Sequence, residues 1–149
     1  MAIDGRAGDS TSARTGLTLE QIEDDRWGDP QPGATRLVAT VHALRRVPVG
    51  ALSVEDLRLL IGQRAGLPVV LPLALGYLER DPLIEGDLYP GDLLSAVLQV
   101  PAGFWADHPA ERARMGVVAE RAAVALAQPA DSVDAELLAR TQAFSGGLP

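Results

Sequence analysis

The segment Pro68–Arg80, with the sequence PVVLPLALGYLER, is the most hydrophobic element of the chain and decides its fold. Its apolar residues recur at helical spacing and form a wide stripe, made of Val70, Leu71, Ala74, Leu75 and Leu78. The stripe predicts a central, nearly enclosed helix with Leu75 and Leu78 in the core. Pro72 fits such a helix in its first turn, where the missing N–H is not needed. A strand over Leu67–Leu73 is the alternative, and its two prolines argue against a central one.

The segments on either side of this element carry the same helical signals: apolar residues at helical spacing, N-cap residues, and prolines or glycines at the ends. Helices are predicted from Leu19 to Trp27, from Ala34 to Arg46, from Ser53 to Gly66, from Pro90 to Pro101, from Pro109 to Gln128, and from Asp131 or Ser132 to Phe144. Phe104 and Trp105 are assigned to a short linking turn. Paired helices would also suit a solenoid, but no residue pattern repeats at a fixed period. The prediction is therefore an all-α fold, a compact irregular bundle of about seven helices.

A chain of 149 residues fits a single domain. Residues 1–16 are rich in Gly, Ser, Thr, Ala and Asp, which predicts a disordered N-terminal tail. The helical domain is expected to cover residues 17–144, and residues 145–149 to form a flexible C-terminus. No secretory signal is recognisable, and the apolar stretch Leu67–Leu78 is too short to span a bilayer. We therefore expect a cytoplasmic protein that does not contact a membrane.

Composition excludes several kinds of chemistry. The absence of cysteine removes disulfides, thiolate zinc sites and cysteine nucleophiles. All 13 basic residues are arginine, and 20 acidic residues give a net charge of −7. Such a chain repels phosphate, so direct nucleic-acid binding is not expected.

Motifs for catalysis are also missing. No glycine-rich phosphate loop and no Gly-x-Ser-x-Gly elbow occurs, and His42 and His108 do not form a metal-ligand pair. His42 is expected to be half-buried, and His108 to be a cap or exposed. The closest carboxylate pairs, Asp24–Asp25 and Glu85-x-Asp87, lie in segments without signs of burial, and burial is what raises a carboxyl pKa. We therefore expect no catalytic residue, no cofactor and no metal, with a hydrolase using unrecognised carboxylates as the least favoured interpretation.

The acidic residues are concentrated in two segments. Residues 17–32 hold five acids and one arginine, and residues 81–92 hold four acids and no basic residue, so each segment carries −4. Solvated acidic loops are the plain explanation. The functional alternative is an acidic patch that docks a basic protein surface. Its candidate residues are Glu23, Asp24, Asp25, Glu85 and Asp87.

Six runs of residues carry a resemblance, in this order along the chain: Leu19–Glu23, Trp27–Pro30, Leu57–Gln63, Pro72–Leu75, Asp81–Leu94 and Phe104–Trp105. Together they resemble the immunity proteins of bacterial contact-dependent growth inhibition systems, from about Leu17 to Leu126. The most distinctive run is EGDLYPGDLL, residues Glu85–Leu94.

The resemblance implies a small, helical, non-catalytic cytoplasmic binder that neutralises one cognate toxin domain by covering its active site. Such toxins are often nucleases, whose basic cleft would suit the acidic segments. Within the distinctive run, the prolines and glycines predict tight turns, and Asp87 or Asp92 is expected to bond backbone N–H groups at the start of the following helix. Tyr89 and Trp105 are expected to contribute to the core. The alternative function is a helical adaptor or regulatory module that binds another protein.

Overall fold

The computed structural model describes residues 14–127 and 135–146. The helices that lie wholly within these ranges are α1 (Leu19–Glu23), α2 (Arg36–Leu44), α3 (Val54–Gly62), α4 (Leu67–Arg80), α5 (Asp92–Leu98), α6 (Ala102–Asp107), α7 (Pro109–Leu126) and α8 (Ala135–Gly146). A 3-10 turn covers Val49–Ala51. The described residues contain no strand, only isolated bridges between Thr18 and Pro48 and between Glu85 and Pro90. The predicted all-α fold is confirmed.

Helix α4 is the centre of the bundle, as its sequence predicts. It packs against α3 on one side and α7 on another, while α8 covers α7 and α3 also contacts α5. Leu75 and Leu78 are completely buried. Burial of their side chains contributes on the order of 1.5–3 kcal/mol each.

The position of Pro72 differs from the expectation. Helix α4 begins at Leu67, so Pro68 takes the first turn and Pro72 lies inside the helix. Gly66, with a φ of 67°, turns the chain into the helix, and its carbonyl accepts the first bonds from Val69 and Val70. Only one of two prolines four residues apart can use the first turn. Burial of the apolar stripe outweighs the backbone bond lost at the second.

Several predicted boundaries were wrong. Helix α1 ends at Glu23, because Asp24 adopts a left-handed conformation with a φ of 51°. Phe104 and Trp105 lie in helix α6 instead of a linking turn. Helix α5 begins at Asp92, after the positive φ of Gly91, and not at the preceding proline. The expected caps of α8, at residues 131 and 132, lie outside the described residues, as do residues 1–13 of the expected tail.

The predicted N-caps of α1 and α3 are present. Thr18 and Gln21 form a reciprocal capping box at α1. Ser53 forms one with Asp56 at α3. Both caps satisfy backbone N–H groups that have no partner inside a helix. None of the described helices is long and apolar enough to cross a membrane.

Candidate functional site

The loop between α4 and α5, residues 81–91, is hydrogen-bonded to a buried carboxylate. Asp92, at the start of α5, is 2% exposed. Its Oδ1 accepts a hydrogen bond from the N–H of Gly86 at 2.7 Å, and its Oδ2 accepts one from the N–H of Leu88 at 3.0 Å. The carboxylate thus bonds backward to the loop, whereas the expectation placed its backbone bonds at the start of the helix. A buried charge needs such partners, because an unsatisfied carboxylate is costly to bury.

A second carboxylate, from helix α3, accepts a hydrogen bond from the backbone N–H that lies between those of Gly86 and Leu88. Glu55 Oε1 accepts the N–H of Asp87 at 3.0 Å. Arg58 donates to the two oxygens of Glu55 at 2.7 and 2.5 Å, and its Nε lies 3.8 Å from Asp92 Oδ2. This hydrogen bond from Arg58 lowers the pKa of Glu55 against the opposing effect of burial. We call these three side chains the Glu55–Arg58–Asp92 clamp, since the two carboxylates bind three consecutive loop amides and Arg58 lies between the carboxylates.

Glycine is required where the loop meets the clamp. A Cβ on Gly86 would lie 2.8 Å from Glu55 Oε1 and 2.9 Å from Asp92 Oδ2. Gly91 combines a φ of 91° with a close approach to the side chain of Leu137. Both glycines of the distinctive run therefore have structural explanations: one lets two carboxylates approach the backbone, and the other turns the chain into α5.

The clamp leaves the other side of the loop to solvent. Glu85 and Asp87 are exposed, and no ion pair within residues 14–127 and 135–146 involves them. Leu88 is 60% exposed. Tyr89, expected in the core, is 39% exposed, whereas Trp105 is buried as expected. We call Glu85, Asp87, Leu88 and Tyr89 the loop surface.

The other acidic segment is organised around a buried arginine. Arg45, 1% exposed, follows the last residue of α2. It donates to Glu23 Oε1 at 2.6 Å and to the carbonyl of Asp25 at 2.8 Å, and its guanidinium lies 4.1 Å from the ring centroid of Trp27. Its Nε has no hydrogen-bond partner. The charge of Glu23 is thus compensated, and the segment is fastened to α2 by an ion pair and a cation–π contact.

Further pairs reduce the free charge of this segment. Arg46 lies 3.6 Å from a carboxylate oxygen of Glu20 and 3.3 Å from one of Asp29. Asp24 and Asp25 are exposed, and neither takes part in an ion pair among the described residues. Of the five candidates, four therefore form no ion pair among the described residues: Asp24, Asp25, Glu85 and Asp87, the last of which is attracted by Arg58 at longer range.

Exposed apolar side chains lie beside this segment too. Trp27, Leu37 and Val38 are 43%, 37% and 40% exposed. A cavity of about 200 Å³ is lined by Trp27, Val38, Val41, His42, Gln63 and Ala65. A cavity of about 220 Å³ beside the loop surface is lined by residues that include Gly62, Arg64, Leu88 and Tyr89. The end of α3 and the residues after it, 62–65, contribute to both cavities, so both acidic segments border the same part of the molecule.

The two histidines have structural contacts. His42 is half-buried, as expected, with Nδ1 3.1 Å from the carbonyl of Gly28 and its ring against the edge of Trp27. His108 stacks on Phe104 at 4.0 Å between ring centroids and makes no side-chain cap to α7. No group of three or more His, Asp and Glu residues in the described part of the chain could hold a metal ion.

Comparison with known proteins identifies the family. A family model described as CDI immunity proteins, where CDI denotes contact-dependent growth inhibition, matches residues 21–115. This is more than half of the chain and includes the clamp, the loop surface and the Arg45 site. The chain belongs to the CDI immunity proteins. No curated protein and no solved structure matches the chain significantly. Membership makes it a toxin-neutralising immunity protein, and its partner a cognate toxin protein.

Sequence reasoning missed the arginines that organise this immunity protein. Arg45 lies four residues after Val41, on the inner face of α2, so its burial could have been inferred from the helical period. Glu55 and Arg58 are three residues apart on one helix face, the spacing of an ion pair. Their contacts with residues 23 and 86–92, however, join distant parts of the sequence, and no local sequence pattern predicts them.

Proposed function

We propose that this immunity protein neutralises a nuclease toxin by covering the toxin's active site with its acidic surface. The observation that supports the proposal is the set of exposed carboxylates without ion-pair partners in the described structure: Asp24, Asp25, Glu85 and Asp87. Glu23 belongs to the same segment and supports it through Arg45. The protein acts by occlusion and contributes no catalytic group.

A nuclease is the toxin class that fits this surface best. Its substrate is a polyanion, so its cleft must present positive charge. An acidic surface complements such a cleft, accelerates the encounter and occupies the place of the phosphates. A net charge of −7 adds to the long-range attraction. We place this encounter in the cytoplasm, where a delivered nuclease meets its substrate.

The test uses a candidate cognate toxin domain, expressed with and without the immunity protein. Cells that express this domain should stop growing, and co-expression of the immunity protein should restore growth. With purified proteins, nucleic-acid cleavage by the toxin should be inhibited at a one-to-one ratio. Binding of a fluorescent oligonucleotide to the toxin should be lost as the immunity protein is added, because the two compete for one cleft.

Two results would contradict the proposal. Restored growth together with a stable toxin–immunity–oligonucleotide complex would show neutralisation away from the active site. Neutralisation of a toxin that cleaves no nucleic acid would keep the immunity role and reject the nuclease. A quadruple variant with amides in place of Asp24, Asp25, Glu85 and Asp87 tests the acidic surface, and a second variant with glutamine at the exposed Glu120 serves as the control for an acid on a remote helix.

A further inference from the structure

The loop surface combines two exposed apolar side chains with two acids that form no ion pair among the described residues. The side chains of Leu88 and Tyr89 are exposed, although the backbone of this loop is hydrogen-bonded to the buried Asp92. Scattered exposed leucines are ordinary. Here, however, an exposed leucine and tyrosine are adjacent in sequence, line one cavity and lie within four residues of both Glu85 and Asp87. Tyrosine is one of the residues enriched at the centre of protein interfaces, and a polar rim around such a centre is typical.

The clamp fixes how this surface is presented. The N–H groups of Gly86, Asp87 and Leu88 are all bonded to buried or half-buried carboxylates. The backbone of the loop is therefore held before any partner arrives. Binding through a preformed loop avoids most of the entropy cost of ordering it.

We propose that Leu88 and Tyr89 are the apolar anchor of the toxin interface, with Glu85 and Asp87 steering the toxin onto them. This inference rests on the proposed function and deepens it. The partner surface it requires is basic and carries an apolar depression that receives the leucine and the tyrosine. A second copy of this chain is a poor occupant, since two acidic loops repel each other.

The experiment measures association and dissociation rates of the full-length immunity protein with the purified toxin domain. Leu88→Ala and Tyr89→Ala should each raise the dissociation rate by about tenfold or more and change the association rate by less than about twofold, as expected for central anchors. Glu85→Gln with Asp87→Asn should mainly lower the association rate. Both Leu88 and Tyr89 are exposed, so circular dichroism should show unchanged folding.

Two control variants match the anchor substitutions. Val117→Ala removes a side chain that is 57% exposed on helix α7, close to the exposure of Leu88. Val124→Ala removes a second exposed valine from the same helix, 64% exposed. Both should leave the dissociation rate within about twofold of the parent if the anchor is the loop.

The outcomes separate this inference from the proposed function. Failure of the parent protein to bind the toxin would overturn the proposed function and this inference with it. Tight binding by the parent that Leu88→Ala and Tyr89→Ala leave unchanged would overturn the anchor alone. A large effect of Leu37→Ala, at an exposed leucine of α2, without an effect of Leu88→Ala would move the anchor to α2. Sedimentation that shows a parent dimer broken by Tyr89→Ala would assign the loop to self-association instead.

Discussion

Arg45 and Arg58 show that single residues decide which acidic side chains of a segment are paired within the fold. Counted along the chain, residues 17–32 and 81–92 are equally acidic. In the structure, Arg45 compensates Glu23, and Arg58 lies between Glu55 and Asp92. Part of each acidic segment is therefore scaffold. The carboxylates that remain available to a partner are those for which the fold supplies no arginine.

At position 86 the structure leaves no room for a side chain. In Gly86→Ala, the new Cβ would lie within 3 Å of oxygens on both clamp carboxylates. Those oxygens must retreat and leave loop N–H groups unbonded, so we expect a loss of about 1–3 kcal/mol in the free energy of unfolding. Urea denaturation measures this loss.

A matched control for this substitution lies in helix α4. A Cβ on Gly76 would meet nothing within 4 Å. Gly76→Ala should therefore raise stability by about 0.5–1 kcal/mol through lower unfolded-state entropy and better helix propensity. Equal effects of the two substitutions would contradict the clamp as the reason for glycine at position 86.

Among the secondary-structure elements, a helix that has both an N-cap residue and a regular apolar spacing was predictable from the sequence. Ser53 and the spacing of Leu57, Leu60 and Ile61 define α3, and each of these apolar residues is buried. Helix α6 was missed because six residues offer less than two turns of periodicity. The end of α1 was missed because Asp24 adopts its left-handed conformation without glycine, stabilised by the contacts around Arg45. Local pattern gives the helices, whereas tertiary contacts decide where short ones end.

Helix α4 supports a direct test of its central position. Leu75→Ala and Leu78→Ala should each lower the free energy of unfolding by about 2–5 kcal/mol, because both side chains are fully buried and leave cavities. Leu88→Ala is the same chemical change at an exposed site and should cost less than about 0.5 kcal/mol. A loss below this value at Leu75 or Leu78 would place α4 on the surface.

Two ion pairs, Glu55–Arg58 within α3 and Glu79–Arg114 between α4 and α7, predict a pH dependence. Hydrogen bonds from Arg58 and Arg114 lower the pKa values of Glu55 and Glu79 below the ordinary value of 4.5. A lowered pKa in the folded state means that the unfolded state binds protons first as pH falls. The stabilising contribution is therefore complete above the ordinary pKa and is lost as pH drops through the folded value.

Denaturation midpoints measured between pH 7 and about 2 check this effect. The midpoint should fall below about pH 5, and Glu55→Gln should make the fall shallower by removing one of the two groups. A parent and variant with the same slope would show that Glu55 is not held in its charged form by Arg58.

For the whole molecule, the folded charge distribution is more uneven than the sequence suggests. In the first acidic segment, Glu20, Glu23 and Asp29 face arginines of the α2 region. In the second, Arg58 lies 3.8 Å from the buried Asp92 and attracts Asp87 at longer range, while Glu85 forms no ion pair among the described residues. The two segments border residues 62–65 from different sides. A basic partner would therefore meet the least compensated charge at the loop surface.

This distribution predicts the salt dependence of toxin binding. Exposed charges mainly affect the association rate, and at physiological salt they are screened beyond about 8 Å. The association rate should fall as ionic strength rises, and the fall should be weaker for Glu85→Gln with Asp87→Asn than for Asp24→Asn with Asp25→Asn, since Arg26 lies beside the second pair in sequence. Glu23→Gln should change stability more than rate, because it breaks the pair with Arg45. Stopped-flow measurements at several salt concentrations give these slopes. A rate that neither salt nor the substitutions change would reject electrostatic docking, and the toxin contact would then lie on the apolar or arginine-bearing faces.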